Sequence, residues 1–252
     1  MIVAAHQPHY MPWLGYLDKL AKADLFVVMD DLQFEAQNFQ NRQRVKLASG
    51  PQWLTVPLAR GSQLDSILDK TIVSCGNAKQ HWQHRHWQTF VTSYGRAPFF
   101  DRYADELHDV YTREWTHLLE LDLHMLDLAR KWLDIDTPIM RSSALGLEGA
   151  KTDRLIDMCK KLGARCYLTG SGGSSSYLDA EKMGRSGIGV IWQDFQHPVY
   201  PQRHGAFASH LGFVDLILNV GPDSRDVLFG QSHPLRVHPR GDSAPHTMEA
   251  AA

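Results

Sequence analysis

Residues 1–34 read MIVAAHQPHYMPWLGYLDKLAKADLFVVMDDLQF and contain two apolar runs, separated by a polar loop and a helical pattern. The first run, Ile2 to Ala5, precedes the polar loop, and apolar residues then recur near helical spacing from Leu14 to Ala23. The second run, Leu25 to Met29, ends in two aspartates. A strand, a helix and a second strand in this order predict a β-α-β unit with parallel strands.

Polar side chains follow both predicted strands of this unit. Open α/β sheets bind their ligands beyond the carboxyl ends of the strands. The polar side chains at these two ends are His6, Gln7, His9, Tyr10, Asp30 and Asp31. The first motif of the chain therefore already predicts a site.

A second β-α-β unit is predicted for residues 137–169, with a helix that begins at Thr152 and ends at Gly163. The free N–H groups at such a helix start favour anions. The next strand runs into a glycine-rich loop, where backbone N–H groups can approach an anionic or carbonyl ligand. The candidate binding residues of this unit are Lys151, Thr152, Ser171, Gly172 and Gly173.

Two further segments carry polar side chains that suit a ligand site. Asn41 and Arg42 begin a stretch of alternating cations, which could hold a phosphate or carboxylate or could be a solvated edge strand. A predicted strand at 187–195 leads into a proline-containing loop with a histidine, a tyrosine and a glutamine. His197, Tyr200 and Gln202 are therefore candidates for the wall of a polar pocket.

These patterns predict an α/β fold with a mostly parallel Rossmann-like sheet and flanking helices. We expect one domain over residues 1–230, with a helical insertion at about residues 77–134. Residues 67–73 are predicted to add a strand. The aperiodic tail, residues 231–252, is expected to be disordered.

Composition limits the classes of protein to consider. The 252 residues are 43% hydrophobic, which suffices for a substantial core. No apolar run reaches the roughly 18 residues of a membrane span, and the start lacks a basic leader, so we expect a cytoplasmic protein without a membrane partner. The net charge of −2 argues against DNA, although a local groove for RNA stays open. Three cysteines without CxxC spacing argue against a disulfide framework and a cysteine zinc site.

The motifs together resemble the WbqC-like family. The matching segments are, in chain order, His6-Gln7-Pro8 with Pro12 to Tyr16, Asp30-Asp31 with Gln33-Phe34, Asn41-Arg42, Trp53 to Pro57, Lys151-Thr152, and Gln193 to Gln202. The resemblance extends in order from Met1 to Asn219, and it departs at Ala150, where the family usually has glycine. It implies an acyl- or aminoacyl-transferase of polysaccharide or natural-product biosynthesis that acts on amino groups of sugars.

The resemblance and the residues together suggest a transferase that forms an amide by moving an activated acyl or aminoacyl group onto a small-molecule amine. His6 or His197 would be the base, and Asp30 or Asp31 would orient it or bind the ammonium of an aminoacyl donor. Backbone N–H groups around Ser171 to Gly173 would stabilise the oxyanion. Arg42 and Lys151 would hold a carrier such as CoA, a carrier protein or tRNA. The sequence does not decide whether the donor is an acyl-CoA, an aminoacyl-tRNA or an acid activated by ATP with Mg²⁺. It does not indicate the oligomeric state either.

Two other functions are compatible with the sequence. The chain could be a non-catalytic protein that binds a nucleotide sugar or carrier for partner enzymes. It could also be a metal-dependent hydrolase that uses His6, His9, Asp30 and Asp31. A purely structural alternative is that His6 and Asp30 are buried hydrogen-bonding partners that hold the two strand-end loops together.

Overall fold

A computed structural model describes residues 1–62, 64–73, 81–170, 172 and 178–230. The strands are β1 (Ile2–His6), β2 (Leu25–Val28), β3 (Arg42–Leu47), β4 (Gly50–Thr55), β5 (Ile139–Arg141), β6 (Cys166–Gly170) and β7 (Gly189–Gln193). The helices are α1 (Leu14–Ala21), α2 (Trp82–Tyr94), α3 (Phe100–Thr112), α4 (Leu118–Trp132), α5 (Thr152–Lys161), α6 (Ala180–Arg185), α7 (Phe213–Val220) and α8 (Ser224–Phe229). The predicted tail at 231–252 and the candidates Ser171 and Gly173 lie outside the described residues.

Five strands form a parallel sheet in the order β5-β2-β1-β6-β7. The chain builds outward from β1 through β2 and β5, then crosses back to place β6 on the other side of β1. This reversal is the topological switch point of doubly wound folds, and it opens a crevice beyond the carboxyl ends of β1 and β6. The predicted α/β fold with a mostly parallel, Rossmann-like sheet is confirmed.

The side chains of β1 alternate between two apolar cores, one on each face of the sheet. Ile2 and Ala4 pack into the larger core with α1 and the helices α2, α3 and α4. Val3 and Ala5 pack into the smaller core with α5. A central strand that is buried on both faces needs apolar residues at every position, which is why the first run contains no polar residue.

The strands β3 and β4 form an antiparallel hairpin outside this sheet. The helices α2, α3 and α4 follow, before β5, and contribute fully buried side chains such as Phe90 and Leu107 to the larger core. Buried Asp215 of α7 accepts hydrogen bonds from Tyr94 of α2 at 2.8 Å and from Tyr200 at 2.9 Å. These bonds join the helical segment to the carboxyl-terminal part of the chain.

The strand predicted at residues 67–73 is wrong. Residues Ile67–Asp69 form one 3-10 turn, because the N–H groups of Ile67 and Leu68 donate to the carbonyls of Leu32 and Asp30. These bonds fold the segment over the loop that follows β2. Beyond the turn, residues 71 and 72 form only isolated bridges.

Within the described ranges, no helix is both long and apolar enough to cross a bilayer.

Candidate functional site

A pocket of about 630 Å³ lies at the switch point of the sheet. Among its lining residues are His6 at the end of β1, Gln7 and His9 on the loop that follows, Tyr16 and Lys19 of α1, Lys151 and Arg154 at the start of α5, Gly170 at the end of β6, Gly172 after it, Gln193 at the end of β7, and His210. The pocket therefore occupies the place that the strand order predicts for a ligand. A second cavity, of about 510 Å³, lies between α3 and α4, away from this edge of the sheet, and is lined mostly by charged side chains.

His6 ends β1 and presents one ring nitrogen to the pocket. Its Nδ1 lies 3.1 Å from the carbonyl oxygen of Gln7. A carbonyl oxygen only accepts, so Nδ1 carries the proton of the neutral ring and Nε2 keeps its lone pair. Burial lowers the pKa of His6 well below its ordinary value, and the charge of Lys19 lowers it further. The imidazole is therefore a neutral base at physiological pH.

Lys19 is a buried lysine of α1, with 4% of its surface exposed. Its ammonium donates to the carbonyl of Ala5 at 3.0 Å and forms no ion pair with any residue that the structure describes. Burial lowers its pKa from 10.5 to about 7. The pocket thus contains an amine that changes charge near neutral pH.

His9 and Tyr16 complete an aromatic group around these two residues. The ring centroids of His6 and His9 are 4.6 Å apart, and each ring lies within 4.9 to 5.1 Å of the Tyr16 ring. Burial, followed by the charge of Lys19, lowers the pKa of His9 to about 3, so this ring is also neutral.

The rim of the pocket is cationic at the start of α5. Lys151 caps the helix with an exposed side chain and a left-handed φ of 50°. Arg154, one turn later, donates to Asp31 at 2.5 Å and to the carbonyl of Leu147 at 2.9 Å. Two cations beside a helix N-terminus make this side of the pocket suitable for a phosphate or another anion.

The structure brings five of the sequence-predicted residues to the pocket. They are His6, Gln7, His9, Lys151 and Gly172. Gln7 accepts a hydrogen bond from Gln40 at 3.0 Å, which anchors the loop after β1 to the segment before β3.

The two aspartates after β2, Asp30 and Asp31, do not line the pocket. Asp30 is fully buried, and its carboxylate accepts hydrogen bonds from Arg141, from Ser142, and from the side chain and backbone of Ser143. Burial opposes ionisation of Asp30, but these hydrogen bonds outweigh it and keep the pKa below its ordinary value. We infer that Asp30 holds the ends of β2 and β5 together, whereas the structural alternative expected a link between the loops after β1 and β2, and that Asp31 orients Arg154.

Three other predicted residues of the amino-terminal half lie away from the pocket. Tyr10 is fully buried, and its hydroxyl bonds to His86 at 2.9 Å and Tyr111 at 2.8 Å. Asn41 donates to the carbonyl of Val56 at 2.8 Å. Arg42 lies on the hairpin, 4.3 Å from the centre of the Trp53 ring.

The predicted residues of the carboxyl-terminal half also lie outside the lining. Tyr200 and Gln202 both donate to Asp215 at 2.9 Å. His197 is half-buried and accepts a bond from the N–H of His210 at 3.2 Å, so it supports a lining residue. Thr152 is buried and accepts from the N–H of Asp179 at 3.0 Å.

The lining includes residues that the sequence did not single out. The chief ones are Tyr16, Lys19, Arg154, Gln193 and His210. Lys19 had a detectable signal, since it lies within the apolar pattern of α1, where a lysine is unusual. Tyr16, Arg154 and Gln193 lie in or beside the segments that carry the family resemblance, whereas His210 had no signal, because only the fold brings it to the β1 end.

The ligand set of the hydrolase hypothesis is not assembled. Across the part of the chain that the structure describes, no group of three or more histidine, cysteine, aspartate or glutamate side chains could hold a metal ion. Asp30 and Asp31 instead bond to arginine and serine, as described above.

Comparison with known proteins places the chain in a family. Residues 7–227 match the WbqC-like protein family. The uncharacterized protein Rv1507c of Mycobacterium tuberculosis (strain ATCC 25618 / H37Rv) is 32% identical over 228 residues, which cover 90% of this chain and 96% of that protein. No solved structure matches the chain. The chain therefore belongs to the WbqC-like protein family.

Proposed function

We propose that the protein is a transferase that forms an amide by moving an activated acyl or aminoacyl group from a carrier onto an amine. The observation that carries this proposal is the state of His6: a neutral imidazole whose Nδ1–H is committed to the Gln7 carbonyl, in a pocket at the switch point. Such a ring can take a proton from an attacking amine at neutral pH. The family match is compatible with an enzyme and does not name a reaction.

In the proposed step, an amine displaces the carrier from the acyl carbonyl. The amine nitrogen attacks the acyl carbonyl, a C–N bond forms, and the C–O or C–S bond to the carrier breaks. His6 Nε2 takes the proton that the nitrogen loses and returns it to the departing carrier oxygen or sulfur. The backbone at Gly172 lies at the pocket, where N–H donors would stabilise the oxyanion of the tetrahedral intermediate.

The cationic rim is the proposed place of the carrier. Lys151 and Arg154 stand beside the N-terminus of α5, which favours a phosphate group. CoA, the phosphopantetheine of a carrier protein, the end of an aminoacyl-tRNA and an acyl phosphate made with ATP and Mg²⁺ all contain such a group. The amine would enter on the His6 side of the pocket.

Hydroxylamine, a small general amine, tests the proposal without knowledge of the natural acceptor. Purified protein is incubated with hydroxylamine and one donor at a time: acyl-CoAs, aminoacyl-tRNAs, or ATP, Mg²⁺ and free carboxylic acids. Hydroxamates are quantified by mass spectrometry against heat-inactivated protein. We expect hydroxamate above background with at least one donor class, and the same rate for Lys160→Met, which removes an exposed cation of α5.

Two results would contradict the proposal. Donor binding without hydroxamate from any class would favour the non-catalytic carrier-binding function. Release of free acid that hydroxylamine does not intercept would favour a hydrolase.

A further inference from the structure

Three buried polar groups at the bottom of the pocket have unused hydrogen-bonding capacity. Lys19 has three N–H donors and uses one, on the Ala5 carbonyl. Tyr16 Oη and His9 Nδ1 have no hydrogen-bond partner among the residues that the structure places. The exposed fractions are 4% for Lys19, 1% for Tyr16 and 4% for His9, yet all three line the pocket. Buried polar groups are nearly always paired, so two unpaired groups beside an ammonium that uses one of its three donors indicate a missing partner.

The three groups are neighbours. Tyr16 and Lys19 are three residues apart on α1, so their side chains lie on the same face of the helix. The ring of His9 lies 5.1 Å from that of Tyr16. A ligand that enters between the loop after β1 and α1 therefore meets all of them.

All three can act as donors toward an anion. Burial raises the pKa of Tyr16 far above its ordinary value, so the hydroxyl keeps its proton. Neutral His9 donates when its proton is on Nδ1. A buried ammonium without a counter-ion is costly, and that cost is recovered when an anion arrives in the same low-dielectric space.

We propose that Lys19, Tyr16 and His9 form a carboxylate-binding subsite, and that the substrate of the transfer carries a carboxylate which occupies it. One ammonium with two neutral donors matches the single charge of a carboxylate. A phosphate monoester, with nearly two charges, would leave excess negative charge buried. The second half of this inference rests on the proposed function, whereas the subsite itself does not.

A matched pair of probes tests the subsite. Hippurate and hippuramide have nearly the same shape and differ in the charge of one end, and their phenyl ring suits the aromatic wall that includes Trp13 and Phe39. Calorimetric titration should show that hippurate binds with a dissociation constant of about 1 mM or tighter and at least about tenfold more tightly than hippuramide. Phenyl phosphate is the third probe, and the part of its binding that depends on Lys19 should be weaker than that of hippurate.

Variants distinguish binding at the subsite from a general attraction of anions to the positive charges of the protein. Lys19→Met should abolish the preference for hippurate over hippuramide, and Tyr16→Phe should reduce it. Lys160→Met, which removes a cation outside the pocket, should leave the preference unchanged. Because Lys19→Met removes an uncompensated charge, its thermal midpoint should equal or exceed that of the wild type, so loss of the preference is not loss of the fold.

Several results would overturn the inference. They are equal affinity for hippurate and hippuramide, no binding of hippurate, a preference that survives Lys19→Met, or tighter Lys19-dependent binding of phenyl phosphate. Failure of the transfer reaction is distinguishable. A protein that binds hippurate through Lys19 but forms no hydroxamate retains the subsite and refutes only the transferase proposal.

Discussion

His6 and Lys19 both line the pocket, and burial lowers the proton affinity of both. The result is a pocket in which His6 and His9 are neutral and Lys19 titrates near pH 7. A general base must be unprotonated at working pH to accept a proton, and a charged donor is strongest in a site that excludes water. His6 therefore provides a base for an amine substrate, and Lys19 provides a positive charge for an anionic group.

The first prediction concerns the stability of Lys19→Met as a function of pH. The unfolded lysine titrates at 10.5 and the folded one at about 7, so the unfolded state binds more protons between these values. Wild-type stability contains a contribution that rises with pH in this window, and the variant lacks it. Urea unfolding should show the variant more stable than the wild type near pH 7, by a margin that shrinks by about 2 kcal/mol by pH 9.

The other titratable groups near Lys19 are His6 at the end of β1, His9 on the loop that follows, Tyr16 on α1, and Asp122 of α4, which is electrostatically coupled to Tyr16. The histidines stay neutral above pH 7, and the same groups are present in both proteins, so their contributions largely cancel. A margin that does not change with pH would show that Lys19 keeps its ordinary pKa.

The second prediction concerns Asp30→Asn. The amide cannot accept every bond that the carboxylate receives from Arg141, Ser142 and Ser143, and the arginine loses its partner. We expect the free energy of unfolding to fall by about 3 kcal/mol, with transfer activity per folded molecule retained. Asp127→Asn, at an exposed ion pair with Arg130, should change the stability by less than about 0.5 kcal/mol.

A different outcome would show that Asp30 takes part in the reaction. If Asp30→Asn has wild-type stability and no activity, the carboxylate of Asp30 is needed for the reaction and not for holding the ends of β2 and β5 together.

At the scale of elements, α5 begins in an unusual conformation. Lys151 has φ of 50° and ψ of −125°, a combination that glycine adopts more easily than any other residue. Strained non-glycine residues tend to persist where the side chain has a use. Here the side chain is a cation on the rim of the pocket.

The third prediction follows from that strain. Lys151→Gly should raise the free energy of unfolding by about 1 kcal/mol while it raises the KM for a phosphate-bearing donor. Lys151→Ala removes the same cation and keeps the strain, so it should raise the KM without the gain in stability. Urea unfolding and donor titrations measure the two effects. A KM unchanged in both variants would show that Lys151 does not bind the carrier.

The elements could be predicted from the sequence where periodicity is local. The apolar runs of β1 and β2, and the stripe of α5, specify their own structure. Residues 67–73 also looked like a strand, but their N–H groups bond to carbonyls after β2, a tertiary contact that periodicity does not contain. The sequence was less informative about which polar residues of a motif face the site. Tyr10, for example, bonds to Tyr111, about a hundred positions away, and this contact is not visible in the local pattern.

At the scale of the whole molecule, the strand order assembles the site. Because β6 returns to the side of β1 opposite β2, the start of α5 and the end of β7 meet the loop after β1. The sequence predicted the strand ends as the place of the site, and His6, Gln7, His9, Lys151 and Gly172 line the pocket. It could not indicate which polar residues the fold would bury elsewhere, such as Tyr200 and Gln202 around Asp215.

The central claim is that the pocket at the switch point performs the transfer, and two variants of the first motif test it most directly. The measurement is the rate of hydroxamate formation for His6→Gln, inside the pocket, and Tyr10→Phe, in the core, with the thermal midpoint of each. We predict that His6→Gln loses at least about a hundredfold in rate with a midpoint within a few degrees of wild type. Tyr10→Phe should lower the midpoint and keep the rate. A His6→Gln protein that is folded and as active as the wild type would contradict the claim.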